Sequence, residues 1–281
     1  MSELKDVLQK HGFAFKKQFG QNFISDSNLL ASIVDASGID EDTVVVEIGC
    51  GAGTLTRALA EKAKKVYAFD IDKQLQPVLA ETLAGLENVE VIFRDFSKVD
   101  LSELEKEIGA YTVVANLPYY ITTPLVTKLL EESQTVQGIS VMVQEEVALR
   151  LCAKENTPEY GAITAAIALK GTAKIVKKVS RNLFYPRPNV DSAVVKITFD
   201  RGRIPVKSEK AYRQTVKCAF LNRRKTLENN LVNSFSISRE TAKAILVQAG
   251  VDEKARGETL SPERLGVLCN VLIENDVLQS D

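Results

Sequence analysis

The sequence predicts an open α/β sheet with a ligand at the carboxyl ends of its strands, followed by a small all-helical C-terminal domain. Three observations carry that expectation. Four short apolar runs each stop at a glycine, an acid or an amide; the first of them opens into a glycine-rich turn; and beyond residue 203 strand-like runs give way to helical periodicity with serine caps.

The first run, Thr43-Val44-Val45-Val46-Glu47-Ile48, is β-branched and passes directly into Gly49-Cys50-Gly51-Ala52-Gly53, then into the helix-forming Thr54-Leu55-Thr56-Arg57-Ala58-Leu59-Ala60. Strand, glycine turn and helix in that order let a ligand approach the backbone closely, which suits a nucleotide-bearing cofactor. A turn of this kind also occurs in nicotinamide enzymes and in proteins that bind nothing. The second run, Lys65 to Phe69, ends in Asp70, about twenty residues past the glycines, where a carboxylate accepts hydrogen bonds from both ribose hydroxyls and disfavours a 2′-phosphate. The third, Val89 to Phe93, is followed by Arg94-Asp95-Phe96; Asp95 is a candidate acceptor for a cofactor adenine amine, with Ile71 and Phe96 flanking the ring. Any one of these acids reads equally as a solvated loop residue. Their repetition at successive strand ends is what points to a site.

The fourth run, Tyr111 to Ala115, ends in Asn116-Leu117-Pro118-Tyr119. An exocyclic amine on a base is a poor nucleophile, because its lone pair is delocalised into the ring. Two acceptors, the Asn116 side-chain oxygen and the Leu117 carbonyl, can hold both of its N–H groups while Tyr119 stacks on the base. Pro118 lacks an N–H and biases Leu117 away from the α region. A strand ending in a plain Pro-Tyr turn has the same appearance.

Further on, Phe184 precedes Pro186 and Pro188, in a loop stiff enough to hold an aromatic ring exposed, and Val190 to Phe199 reads as a closing strand. After Arg203, Ser208, Ser238 and Ser261 each cap a helical stretch, the last with Pro262 in its first turn. Phe220 and Leu221 are expected to pack inside this module, whereas Arg223, Arg224 and Lys225 project onto phosphates, unless the arginines instead brace the two domains. The boundary is placed between 1–203 and 204–281.

The 281 residues carry a net charge of −1, but the charge is divided unevenly. Residues 40–108 hold 15 acidic and 8 basic side chains, whereas residues 170–225 hold 16 basic and 3 acidic. A basic stretch of that size suits a polyanion. The cysteines, Cys50, Cys152, Cys218 and Cys269, are far apart and accompanied by a single histidine, His11, so neither a zinc site nor a disulfide framework is expected. No apolar run is long enough to span a membrane, and the charged first residues do not resemble a secretory signal; a cytoplasmic protein is expected.

The Gly-x-Gly-x-Gly turn, the acids closing successive strands and the Asn-Leu-Pro-Tyr at the fourth strand together resemble class I methyltransferases, which have a Rossmann-like sheet. Three more segments narrow the resemblance: Lys16 to Ile24, Asn182 to Val195, and Ala219 to Leu231. With the Pro262-Glu263-Arg264-Leu265 helix, the whole set is similar to the KsgA/RsmA family of ribosomal RNA small-subunit adenine N6,N6-dimethyltransferases. The resemblance implies S-adenosylmethionine as methyl donor without a metal. It also implies that Asn22, Ile24, Gly49, Asp70, Asp95 and Asn116 contact this cofactor, and that Tyr119 and Phe184 sandwich the target adenine. Asp70 stands where the family usually has glutamate, Ile24 where leucine is common, and Cys50 where proline is frequent.

The implied substrate is a pair of adjacent adenosines in the 3′-terminal hairpin of 16S rRNA within a small-subunit assembly intermediate, modified by a monomer without a membrane partner. An Erm-type enzyme acting on 23S rRNA shares the first half, but the Phe184 to Ser192 and Phe220 to Leu227 segments favour the small-subunit enzyme. A DNA adenine methyltransferase more often reads Asp/Asn-Pro-Pro-Tyr. From another class, an RNA-binding assembly factor would carry the same basic module and need no intact Asn116.

Overall fold

The structure, a computed structural model, describes residues 2–16, 21–118, 121–200 and 202–280. It falls into two compact units: Met1–Ala148 with Lys174–Thr198, and Leu149–Ala173 with Phe199–Asp281. In chain order the elements are α1 (Ser2–Lys10), β1 (Phe23–Ile24), α2 (Ser27–Ser37), β2 (Val44–Ile48), α3 (Thr54–Ala60), β3 (Lys65–Asp70), α4 (Gln76–Thr82), β4 (Val89–Phe93), α5 (Leu101–Ile108), β5 (Tyr111–Asn116), α6 (Thr122–Glu132), β6 (Val136–Gln144), α7 (Glu145–Leu151), α8 (Ala162–Lys170), β7 (Gly171–Val179), β8 (Phe184–Tyr185) and β9 (Ser192–Phe199). Four helices follow: α9 (Glu209–Ala219), α10 (Leu227–Phe235), α11 (Arg239–Gln248) and α12 (Pro262–Glu274).

Seven strands form one sheet in the order β4-β3-β2-β5-β6-β9-β7. β2 pairs in parallel with both β3 and β5, β3 with β4, and β5 with β6; β9 alone is shown running antiparallel to β6, from Gly138↔Thr198 to Gln144↔Ser192. Val45 and Val46 in β2, like Val113 and Val114 in β5, are wholly buried, so these central strands read as continuous apolar runs rather than alternating ones. Burying each such side chain contributes about 1.5–3 kcal/mol. Strand order reverses between β2 and β5, and an open sheet of this kind leaves a crevice at the carboxyl ends of the two strands flanking the reversal. Those ends are Gly49 and Asn116.

Helices close over the sheet by ordinary local signals. Asp26 caps α2 by accepting from the Leu29 N–H at 2.7 Å, Gly38 ends that helix at φ 73°, and Leu29, Leu30, Ile33 and Val34 form its buried stripe. A separate two-stranded antiparallel pair, β1 with β8, sets Phe23 opposite Tyr185 and Ile24 opposite Phe184.

The second unit is helical. Ser208, Thr226, Ser238 and Ser261 cap α9 to α12 through side-chain oxygens that accept from Ala211, Asn229, Thr241 and Arg264 N–H groups, each such cap contributing about 1 kcal/mol. Tyr212 is fully buried, and its hydroxyl donates toward the carbonyls of Ala165 and Pro262, each at 3.3 Å. Gly257 packs so closely on the end of α9 that a Cβ there would lie 2.1 Å from the Ala219 carbonyl oxygen.

The boundary drawn at Arg203 differs from this division. Residues 149–173 join the helical unit, where the Tyr160 hydroxyl donates to the Leu260 carbonyl at 2.9 Å and Thr164 donates to the Arg150 carbonyl at 2.7 Å. Leu221 corrects a second expectation, being 60% exposed, whereas Phe220 meets Tyr160 edge-on at 5.5 Å. Cys50 and Cys218 are buried free thiols. Among the described residues no helix is long and apolar enough to cross a membrane.

Candidate active site

The crevice at the strand reversal is a cleft of about 210 Å³, lined by Gln21, Asn22 and Phe23 from the N-terminal segment and by residues at the carboxyl ends of β2, β3, β4 and β5. Gly49, Asp70, Asp95, Asn116 and Leu117 all line it, so strand ends 67 residues apart in sequence converge on one space. Gly49, Gly51 and Gly53 adopt φ of 77°, 55° and 81°, a region that other residues rarely enter. A Cβ on Gly51 would sit 2.8 Å from the Phe23 ring, so only glycine lets the N-terminal segment lie this close to the turn.

Asp70 is 9% exposed and held on both oxygens: Oδ2 accepts from the Gly51 N–H and Oδ1 from the Asp72 N–H, each at 2.8 Å. Burial raises its pKa above the ordinary aspartate value, and those backbone donors oppose the rise. One bond to each oxygen leaves lone pairs for further donors. Asp95 accepts from the Ser97 N–H at 3.0 Å and the Ser97 hydroxyl at 2.7 Å, both on Oδ1, and thereby caps the short turn after β4. Ile71 is 50% exposed at the cleft, while Phe96 is buried edge-on against Phe69 at 5.1 Å.

Asn116 donates from Nδ2 to the Asn22 carbonyl at 2.9 Å. That bond fixes the amide plane and leaves Oδ1 as its acceptor side. The Leu117 side chain is buried, and its N–H donates to the Met142 carbonyl at 3.2 Å, so β6 anchors the residue whose carbonyl is of interest.

Two expected site residues, Phe184 and Ile24, are placed differently, and a third is not described. Tyr119 lies outside the described residues. Phe184 is 3% exposed and packed in the hydrophobic core, not held out on a loop, because pairing with Ile24 turns it inward. Ile24 belongs to the same core and does not line the cleft; its carbonyl accepts from the Thr54 hydroxyl at 2.7 Å, tying the N-terminal segment to α3.

Two acids near the cleft escaped the sequence reading. Glu47 in β2 is 1% exposed, and burial pushes its pKa up to about 8, with the Asp70 charge acting in the same direction. Among the described residues its Oε2 has no hydrogen-bond partner. A charged residue inside a β-branched run was the available signal. Asp72, 2% exposed, accepts from Lys16 Nζ at 2.7 Å and Gln21 Nε2 at 3.0 Å, and its position two residues past Asp70 was the only hint.

In the helical unit the basic triplet divides. Arg223 is engaged, donating from Nε to Glu258 at 2.9 Å and from Nη1 to the Pro158 carbonyl at 3.0 Å. Arg224 and Lys225 are exposed in the turn between α9 and α10. Among the described residues no group of three or more histidines, cysteines or acids is placed to hold a metal ion.

A parallel-rich seven-stranded sheet, a glycine turn at β2, an acid at β3 and an amide at the end of β5 around one cleft define a class I methyltransferase. Residues 12–272 match the ribosomal RNA adenine dimethylase family, and the chain belongs to that family. It is 46% identical over 278 residues to the ribosomal RNA small subunit methyltransferase A of Geobacillus thermodenitrificans, covering 96% of this chain and 94% of that one. It is 47% identical over 277 residues to the protein of the same name from Bacillus mycoides, covering 96% and 95%. A solved dimethyladenosine transferase from Plasmodium falciparum superposes with a TM-score of 0.77 at 25% identity, covering 90% of this chain and 97% of that one. The 23S rRNA methyltransferase ErmE does so with a TM-score of 0.68 at 28% identity, covering 89% and 99%.

Proposed function

We propose that this chain transfers methyl groups from S-adenosylmethionine to N6 of two adjacent adenosines in the 3′-terminal hairpin of 16S rRNA, giving N6,N6-dimethyladenosine during small-subunit biogenesis. The observation that carries this reading is Asn116, at the strand reversal, with its amide turned by the Asn22 carbonyl.

The residues present fit a nucleoside-bearing donor. Asp70 keeps acceptor capacity for two ribose hydroxyls beyond its bonds to Gly51 and Asp72. Asp95 keeps one carboxylate oxygen for an adenine amine. The glycine turn has the open backbone that close approach of a ligand needs. When bound, S-adenosylmethionine supplies an electrophilic methyl group on a sulfonium, and no metal is needed to polarise it.

Asn116 Oδ1 and the Leu117 carbonyl accept the two N–H groups of the target amine and direct its lone pair; positioning and exclusion of water then carry the step. Tyr119 stacks on the target base. Phe184 joins it only after its ring leaves the core. Arg224 and Lys225 contact RNA phosphates, whereas Arg223 braces the helical unit.

One assay tests the proposal. The protein is incubated with labelled S-adenosylmethionine and unmethylated small or large ribosomal subunits, and the modified nucleoside is identified and positioned by mass spectrometry. Dimethyladenosine at adjacent positions near the 3′ end of 16S rRNA is expected, and label in the large subunit alone would overturn it.

A further inference from the structure

Asp72 has more partners than its local role requires. It caps the short turn that begins at Lys73 by accepting from the Gln74 N–H at 3.2 Å, which occupies one oxygen and needs no cation. Yet its Oδ1 also takes the Lys16 ammonium at 2.7 Å, and its Oδ2 takes the Gln21 amide at 3.0 Å. The two residues are also joined directly, because the Lys16 backbone N–H donates to the Gln21 side-chain Oε1 at 3.0 Å. One buried carboxylate thus gathers two points of the N-terminal segment, 56 and 51 residues away in sequence. Charge-assisted bonds of this kind are what make burial of a carboxylate tolerable.

The carboxylate is connected to the site on two sides. Through its own N–H it bonds Asp70, which in turn holds the Gly51 N–H. Through Gln21 it fixes the chain just before Asn22, whose carbonyl orients Asn116, and Phe23, whose ring covers the glycine turn.

We propose that Asp72 is a positioning residue for donor binding: it holds Lys16 and Gln21 so that Asn22 and Phe23 stay against the glycine turn and Asn116 before the donor arrives. The proposal rests on reading the cleft as the S-adenosylmethionine site. Asp72 does not line the cleft and acts through the residues it ties down.

The test uses the full chain, four single variants, Lys16→Ala, Gln21→Ala, Lys16→Arg and Asp72→Asn, and one double variant. Lys16→Ala and Gln21→Ala leave the cap at Gln74 intact, so they decide the matter even where Asp72→Asn fails to fold. Hydrogen–deuterium exchange of the Gln21 to Ile24 amides in the ligand-free protein is expected to speed up in both alanine variants and to return toward wild type in Lys16→Arg. Calorimetric binding of S-adenosylhomocysteine should weaken about tenfold, and KM for S-adenosylmethionine should rise in parallel with kcat within about threefold. In Lys16→Ala combined with Asp72→Asn the loss should be no greater than in the worse single variant.

Wild-type exchange and binding in both alanine variants would overturn the proposal, as would a lowered melting temperature with unchanged affinity, which marks a cap and nothing more. Binding and exchange do not depend on the RNA. A wild type that fails to modify ribosomal subunits would therefore count against the proposed function, while the variants still decide the role of Asp72.

Discussion

Glu228 in α10 and Glu47 in β2 are both buried acids, at 7% and 1% exposure, yet their surroundings differ completely. Glu228 sits in the first turn of its helix and accepts from Arg239 Nη1 at 2.7 Å, so both the helix end and a cation stabilise its charge. Glu47 has no ion-pair partner among the described residues and shares its neighbourhood with a second acid, Asp70, whose pKa is also raised. The bond that compensates Glu228 lies within the helical unit. At the carboxyl edge of the sheet Glu47 and Asp70 keep raised pKa values, and perturbed acids of this kind cluster at functional sites.

The largest effect expected at that edge comes from Asn116→Ala. Losing one positioned acceptor should lower kcat roughly a thousandfold, about 4 kcal/mol of barrier, while S-adenosylhomocysteine binding by calorimetry stays within a few fold. Undiminished dimethyladenosine by mass spectrometry would remove Asn116 from the mechanism.

Glu47 sharpens the contrast through pH. Its folded pKa of about 8 stands above the ordinary 4.5, so between those values the folded protein retains a proton that the unfolded chain has released. Stability therefore falls as pH rises through this window, by about 2.7 kcal/mol from pH 5.5 to 7.5 for a single such group. Urea unfolding at the two pH values should show that slope in the wild type and lose it in Glu47→Gln. Equal slopes would mean that Glu47 is charged in the folded state after all.

In the helical unit the corresponding break is steric. Gly257→Ala places a methyl against the Ala219 carbonyl and should cost about 2 kcal/mol of stability, read as a lower melting temperature with no change in S-adenosylhomocysteine affinity. A fall in affinity instead would show that the two regions are not energetically separate.

The smallest effects concern the basic triplet. Arg224→Ala and Lys225→Ala should each reduce the salt dependence of RNA binding by about one phosphate contact and leave stability alone. Arg223→Ala should do the reverse, since its partners Glu258 and the Pro158 carbonyl lie within the helical unit. Equal salt slopes for all three variants would erase the distinction drawn between them.

What could be read in the sequence follows from how local each signal is. β2 and β5 were legible because strands buried on both faces are unbroken apolar runs, and Ser208, Ser238 and Ser261 because a cap acts on an N–H three residues away. Asp70 and Asn116 were legible because each ends a strand. Residues 149–173 were not, since their membership of the helical unit depends on contacts such as Tyr160 to Leu260, 100 residues apart. Asp72 escaped for the same reason. Phe184 misled because the prolines after it imply an exposed loop, whereas a pairing only two residues long turns the ring into the core.

The bond from Asn116 Nδ2 to the Asn22 carbonyl has a consequence for turnover. With one Nδ2 N–H engaged and the amide plane fixed, the proposed role has Oδ1 meeting the substrate nitrogen as an acceptor, and its hold depends on an N–H being there to grip. An unmodified adenine offers two, the once-methylated base one, and the finished dimethyladenine none. The proposed site thus releases its product by the chemistry itself: each transfer removes a handle, and after the second the base has nothing left by which Asn116 can retain it.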